Sequence, residues 1–284
     1  VRPTCRPPGP PLPVSLDPAA RSAVPSVHAA PAEPERARTG PEVVAHRGAS
    51  GDSPENTLAA VDEALRQRAD TIEIDVRRTA DGHLVVLHDS TLTRTTDVER
   101  VFPGRAPDPV GTFTLAELKR LDAGSWFGPA FAGEPVPTLA EVVAHTGDRA
   151  GLLVELKDTA HYPGIEQEVA AVLGAPRAGV AVQSFDHDTM RRFAEAAPDV
   201  PAGWLFDDRP GRARLDEAAA AGAHQITPGV EGTDASLVAA VRIRGMETGV
   251  YTVNTGSDMR RLRDTGVDRI ITDHPGRLRA VLDG

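Results

Sequence analysis

Short apolar runs recur along this chain, each closed by polar or turn residues. From Glu42 onward they occupy residues 43–46, 71–76, 84–88, 151–156, 180–185, 202–206, 223–227, 249–253 and 269–272. Between many of them, apolar residues fall at helical spacing: 56–68, 164–173, 187–196, 215–221, 235–244 and 258–264. Nearly continuous apolar strands alternating with helices predict a parallel sheet whose outer face is covered. Some eight such units between Glu42 and Gly284 predict a (β/α)8 TIM barrel, a fold of typically ~250 residues. An open doubly wound sheet fits the same pattern.

Two features break the repeat. There are nine apolar runs rather than eight, and the link from Val76 to Leu84 is shorter than the ~10–12 residues of a helical crossover. The second unit is therefore expected to be irregular: a strand extension, a hairpin or a missing helix. Residues 89–137 also lack the repeat. They hold one helix signal at 115–121 and the aromatic segment Ser125-Trp126-Phe127, and are expected to form an inserted lobe on the barrel rim. Shaping substrate access and stabilising the barrel are equally open roles for it.

Composition adds a boundary. Ten prolines lie within residues 1–34, so residues 1–41 are expected to be a disordered lead-in and 42–284 the barrel domain. This segment lacks the apolar core of a signal peptide. Val27-His28-Ala29-Ala30-Pro31 nonetheless resembles a signal-peptidase site, a lean towards an extracytoplasmic place that leaves the cytoplasm open. The single cysteine, Cys5, permits no intrachain disulfide. No run of ~18 apolar residues predicts a membrane span. The formal net charge of −10 disfavours nucleic acid as a partner while allowing a local phosphate pocket. Oligomeric state is not legible.

The chemistry gathers where apolar runs end. In Thr71-Ile72-Glu73-Ile74-Asp75-Val76, alternation puts Glu73 and Asp75 on one face and the apolar residues on the other. Two inward carboxylates repel and resist desolvation; a hard divalent cation, Mg²⁺ or Ca²⁺, relieves both costs. Salt bridges to arginines are the alternative. Glu155 and Lys157 repeat the device: Glu155 is a third candidate ligand and Lys157 a partner for a phosphate oxygen, or the two form an internal ion pair. His46 and His88 end apolar runs, the place where barrel enzymes carry their chemistry. Two imidazoles beside carboxylates suit general acid and base roles. Arg47, next to His46, can grip a phosphate through its forked guanidinium or pair with Glu73 or Asp75. Glu55 is expected near the site, holding a histidine or an arginine. Asn56, Asp186 and Asp258 are expected helix caps. His28, His83, His145, His161, His187, His224 and His274 read as surface or turn residues.

These residues resemble the glycerophosphodiester phosphodiesterase family. The resemblance is carried, in the family's order, by His46-Arg47-Gly48, Pro54-Glu55-Asn56-Thr57, Glu73-Ile74-Asp75-Val76, Asp81-Gly82 with Val85-Val86-Leu87-His88-Asp89, Glu155-Leu156-Lys157, Gln183-Ser184-Phe185, Thr252-Val253-Asn254 and Thr272-Asp273-His274-Pro275. It implies a phospholipase-C-like barrel with a lobe after the second histidine. It implies hydrolysis of glycerophosphodiesters, as small-molecule substrates, to sn-glycerol 3-phosphate and an alcohol. It also implies a divalent metal on Glu73, Asp75 and Glu155, catalytic His46 and His88, and phosphate or substrate contacts from Arg47, Lys157 and Tyr251. Tyr251 stands where the family usually has tryptophan, and His274 where tyrosine is common. Competing readings are a phospholipase D-type barrel acting on lysophospholipids or sphingomyelin, a non-catalytic phosphate-binding barrel, and a sugar-phosphate isomerase or aldolase using Lys157. The last requires a deprotonated lysine, which the neighbouring Glu155 opposes.

Overall fold

The computed structural model describes residues 40–175 and 177–284. The proline-rich lead-in, with Cys5, His28 and the 27–31 stretch, lies outside them. Nine strands form one sheet: β1 (Glu42–Ala45), β2 (Thr71–Arg78), β3 (Leu84–Val86), β4 (Gly151–Leu156), β5 (Val180–Ser184), β6 (Ala202–Phe206), β7 (Gln225–Pro228), β8 (Glu247–Val250) and β9 (Arg269–Thr272). β1 pairs in parallel with both β9 and β2, which closes eight strands into a TIM barrel and rules out the open sheet. β3 is the extra strand. It runs antiparallel on β2, with Val76 opposite Val86 and Arg78 opposite Leu84. The irregular second unit is thus a hairpin rising above the barrel mouth.

Helices cover the outside: α1 (Leu58–Arg66), α2 (Val98–Val101), α3 (Leu115–Leu118), α4 (Leu139–Thr146), α5 (Ile165–Leu173), α6 (His187–Ala196), α7 (Arg212–Ala220), α8 (Ala235–Arg242), α9 (Gly256–Thr265) and α10 (Pro275–Asp283). The chain returns from the hairpin through the lobe to α4, which makes the delayed crossover from β2 to β4. Strand alternation sorts the side chains as expected. Ile72, Ile74, Val76, Leu152, Val154 and Leu156 join Val61, Val142, Ile165 and Phe193 in the layer between barrel and helices. Val44, Leu153, Ala181 and Ile271 form a smaller cluster in the barrel interior. The lobe has its own core, in which Leu92, Val98, Val110, Phe113, Leu118 and Leu121 are buried against Val85 and Leu87 of the hairpin. No helix among the described residues is long and apolar enough to cross a membrane.

Three sequence expectations need correction. Thr57, not Asn56, caps α1, accepting from the Ala60 amide at 3.2 Å. Thr255, not Asp258, caps α9; Asp258 lies a turn inside and its amide donates to Thr255 Oγ1. Asp186 does cap α6. His187, expected at the surface or in a turn, opens α6 and is half-buried: its ring stacks on Trp204 at 4.2 Å and faces the Leu205 carbonyl at 2.9 Å.

Candidate active site

β1 stops at Ala45, and the chain turns sharply to bring Arg47 and Gly48 back over the barrel mouth. Arg47 and Gly48 both take positive φ, 54° and 82°. Gly48 is required there, because a Cβ would lie 2.6 Å from Ala60 Cβ and 2.7 Å from the Ala60 carbonyl oxygen. The turn aims the Arg47 amide at Glu73 Oε2 at 2.8 Å. Asn56, also at positive φ, is buried with both side-chain ends on Asp75: Nδ2 donates to Oδ2 at 2.8 Å, and Oδ1 accepts from the backbone amide at 3.2 Å. Its role is to hold a carboxylate rather than to cap a helix.

Glu73 and Asp75 point inward from β2, and the β2–β4 register sets Asp75 beside Glu155. One oxygen from each of the three lies within 4.8 Å of the others, and all three residues are buried. Burial and its carboxylate neighbours push Glu73 well above the usual range, and the same causes lift Glu155 to about 7. Asp75 is also buried, but Lys157 and Arg47 hold it down at about 2. Lys157 Nζ lies 2.5 Å from Glu155 and 3.3 Å from Asp75. Glu73 Oε1 has no hydrogen-bond donor. A divalent cation fits this set: three hard oxygen donors, one of them orphaned, with more negative charge than the adjacent cations balance.

His46 and His88 both line a cavity of about 200 Å³ above the carboxylates, with Arg47, Lys157, Gln183, Phe185 and Tyr251. They arrive by different routes. His46 follows a barrel strand. His88 follows β3, which descends from the hairpin tip, so the Leu87 amide donates to the Asp75 carbonyl and His88 sits at the height of the acids. Arg77, two positions beyond Asp75 on the same face and 4% exposed, fixes this return by donating Nε to the His88 carbonyl at 3.0 Å.

Each imidazole is tied at Nδ1 to a carboxylate: His46 to Asp273 at 2.6 Å, His88 to Asp89 at 2.7 Å. An ionised carboxylate only accepts, so Nδ1 carries the proton and Nε2 is left for the cavity. Burial opposes ionisation of Asp273, yet bonds from His46, Asn254 and Ser50 hold it at about 2. Burial pushes the His88 ring below its ordinary value despite Asp75 and Asp89. Tyr251 lines the cavity, but its hydroxyl donates to the Phe206 carbonyl at 3.0 Å, and burial with Asp207 and Glu155 raises it to about 12. No residue between 89 and 137 lines this cavity.

Residues 46–277 match the model of the glycerophosphoryl diester phosphodiesterase family. The chain belongs to that family. It is a phosphoric diester hydrolase of the TIM-barrel kind. The glycerophosphodiester phosphodiesterase of Caldanaerobacter subterraneus subsp. tengcongensis is 39% identical over 83% of this chain and 95% of its own. An Oleispira antarctica phosphodiesterase solved with the product sn-glycerol-3-phosphate superposes with a TM-score of 0.77 at 31% identity, covering 86% of this chain and 98% of its own. The Agrobacterium tumefaciens glycerophosphodiester phosphodiesterase gives 0.72 at 34%, over 84% and 99%.

In this phosphodiesterase, the residues singled out from sequence (His46, Arg47, Glu73, Asp75, His88, Glu155, Lys157 and Tyr251) all meet at one cavity or directly beneath it. Glu55 holds an arginine, as one expected alternative had it: Arg47 Nη1 donates to it at 2.8 Å. Arg77, Asp89, Arg94 and the anchoring role of Asn56 were missed. Arg77 had a legible signal, the i+2 spacing from Asp75. Asn254 and Asp273 read only as polar rim positions, yet they form the support of His46.

Proposed function

We propose that this chain hydrolyses glycerophosphodiesters to sn-glycerol 3-phosphate and an alcohol, in glycerophospholipid turnover. One observation carries the reading: two imidazoles, each anchored at Nδ1, present Nε2 to a single cavity above a buried carboxylate triad. One ring removes the proton from the attacking oxygen, of water directly or of the glycerol 2-hydroxyl, which gives a cyclic phosphate that water then opens. The other, as an imidazolium with a second proton on Nε2, gives that proton to the leaving alkoxide. Arg47 and Lys157 offset the phosphodiester's negative charge from opposite sides of Asp75. Glu73, Asp75 and Glu155 would hold Mg²⁺ or Ca²⁺, which when bound stabilises the negative charge that develops on phosphoryl oxygens. Tyr251 and Phe185, in edge contact at 5.8 Å, offer an apolar wall for the carbon skeleton of the substrate.

An aldolase-type Schiff base at Lys157 is disfavoured. Burial works against its charge, but Asp75 and Glu155 outweigh it and raise the ammonium above its ordinary value, so the free amine is scarce. A panel of choline, ethanolamine, inositol and glycerol phosphodiesters with a lysophospholipid and sphingomyelin, assayed with and without Mg²⁺ and Ca²⁺, tests the proposal. Release of sn-glycerol 3-phosphate from the water-soluble esters supports it. Turnover of the lysolipid or sphingomyelin alone points to the phospholipase D-type reading, and binding without turnover to a phosphate-binding barrel.

A further inference from the structure

Arg94 belongs to the lobe, not to the barrel, and its side chain is 43% exposed. It nevertheless joins two supports of the site that have no other direct link. Nε donates to Asp89 Oδ2 at 2.7 Å and Nη2 to Asp89 Oδ1 at 2.9 Å. Nη1 donates to Glu55 Oε2 at 2.7 Å and Nη2 to Glu55 Oε1 at 2.8 Å. Two edges of one planar guanidinium thus grip two carboxylates, each as a fork, using four of its five N–H donors. Asp89 Oδ1 is the atom that faces His88 Nδ1, and Glu55 Oε1 is the atom that receives Arg47 Nη1.

We propose that Arg94 is a positioning residue: through Asp89 it fixes the orientation and tautomer of His88, and through Glu55 it fixes the guanidinium of Arg47. The inserted lobe therefore completes the site from behind, where it lines none of the substrate cavity. The roles of His88 and Arg47 rest on the phosphodiesterase reading; the geometry that Arg94 imposes on them does not. Lysine cannot replace it, since an ammonium is a point charge that meets one carboxylate and leaves the other unforked.

The expected pattern is a split between kinetic parameters. In Arg94→Met, kcat falls about 10²-fold, because a displaced acid–base group is costly. KM rises as well, because Arg47 loses its partner's anchor. Arg94→Lys recovers one of these effects and not both. The loss in kcat shrinks when Arg94→Met is made in an Asp89→Asn background, and the rise in KM shrinks in a Glu55→Gln background. A second readout needs no substrate: ¹⁵N-histidine NMR of the wild type is expected to show His88 protonated at Nδ1. In Arg94→Met the two tautomers mix, while His46, anchored on Asp273, is unchanged. Wild-type kcat and KM in Arg94→Met, full recovery by lysine, complete additivity in both backgrounds, or an unaltered His88 tautomer each overturns the proposal. If the wild type hydrolyses no glycerophosphodiester, the functional reading fails while the histidine spectra still decide the role of Arg94. Should Arg94→Met not fold, Arg94→Lys decides: a loss confined to kcat or to KM supports the proposal, and wild-type values of both, or equal losses in both, overturn it.

Discussion

His46 and His88 are each held by a carboxylate, Asp273 and Asp89. His46→Ala and His88→Ala each remove one proposed proton-transfer group, so each should lower kcat by about 10²–10⁴ while the protein stays folded, as a cooperative urea transition checks. Wild-type turnover in either variant refutes the role given to that ring. Asp273 allows a separate, pH-dependent test. Its carboxyl is held at about 2 in the folded chain against an ordinary value near 4. A depressed folded value means that its contribution to stability is complete above about pH 4 and is lost as pH falls through about 2. Asp273→Asn should therefore lower the urea midpoint at pH 5, with the gap to wild type closing by pH 2. A constant gap would show that the ionised carboxylate is not what stabilises. The histidines and acids were legible because strand alternation fixes which side chains share a face, and a strand end can be read from its own few residues. Asp273 was not, because its meaning depends on barrel closure that brings it to a histidine 227 positions away. Asp89 stood next to His88 in the sequence, but its purpose depends on a bond to its neighbour's ring that the sequence does not specify.

At the scale of elements, the loop from β1 to α1 does more than connect. Its backbone bends through Arg47, Gly48 and Asn56 at positive φ, and the bend is what aims one amide at Glu73 and one carboxamide at Asp75. Gly48→Ala combines left-handed backbone strain with a clash against α1, where the contacts are Ala60 backbone atoms that cannot swing aside. A destabilisation of about 2–4 kcal/mol is expected, read as a lower denaturation midpoint, together with a loss of activity beyond what stability alone explains. If the variant melts like wild type, the turn is not constrained as described. Element type was legible where periodicity was long, as in the barrel strands and their helices. The β2–β3 hairpin was only one of three expected forms, because an apolar run of five residues has no directional signal: parallel and antiparallel strands share the same pattern. Cap positions shifted by one to three residues, since Asn56 and Asp258 are good caps by type and were outcompeted by Thr57 and Thr255, whose φ and ψ are extended.

At the scale of the whole fold, three buried carboxylates sit at the mouth of a closed barrel. The barrel interior is apolar at Val44, Leu153, Ala181 and Ile271, and directly above that cluster lie three buried carboxylates beneath a small cavity. A closed barrel cannot splay to relieve them, because β1 is hydrogen-bonded on both sides. The repulsion is instead stored as raised Glu73 and Glu155 and an orphaned Glu73 oxygen. Two effects of opposite sign follow for stability. Adding Mg²⁺ or Ca²⁺ should stabilise the folded chain, by about 2.7 kcal/mol at a hundredfold excess over Kd, or roughly 5–10 °C in Tm for a domain of this size. Glu73→Gln should abolish most of that shift, yet in chelator its Tm should equal or exceed that of the wild type, because it replaces a buried carboxyl whose ionisation burial and its acidic neighbours oppose. A general stabilisation of the surface by divalent ions would raise the Tm of both proteins equally. A site that exists only to form internal ion pairs with Arg47 and Lys157 would do the reverse in chelator: Glu73→Gln would melt lower, having lost a favourable partner. Thermal melts of the two proteins, in chelator and in each ion, therefore separate a metal centre from a polar plug without any assay of turnover.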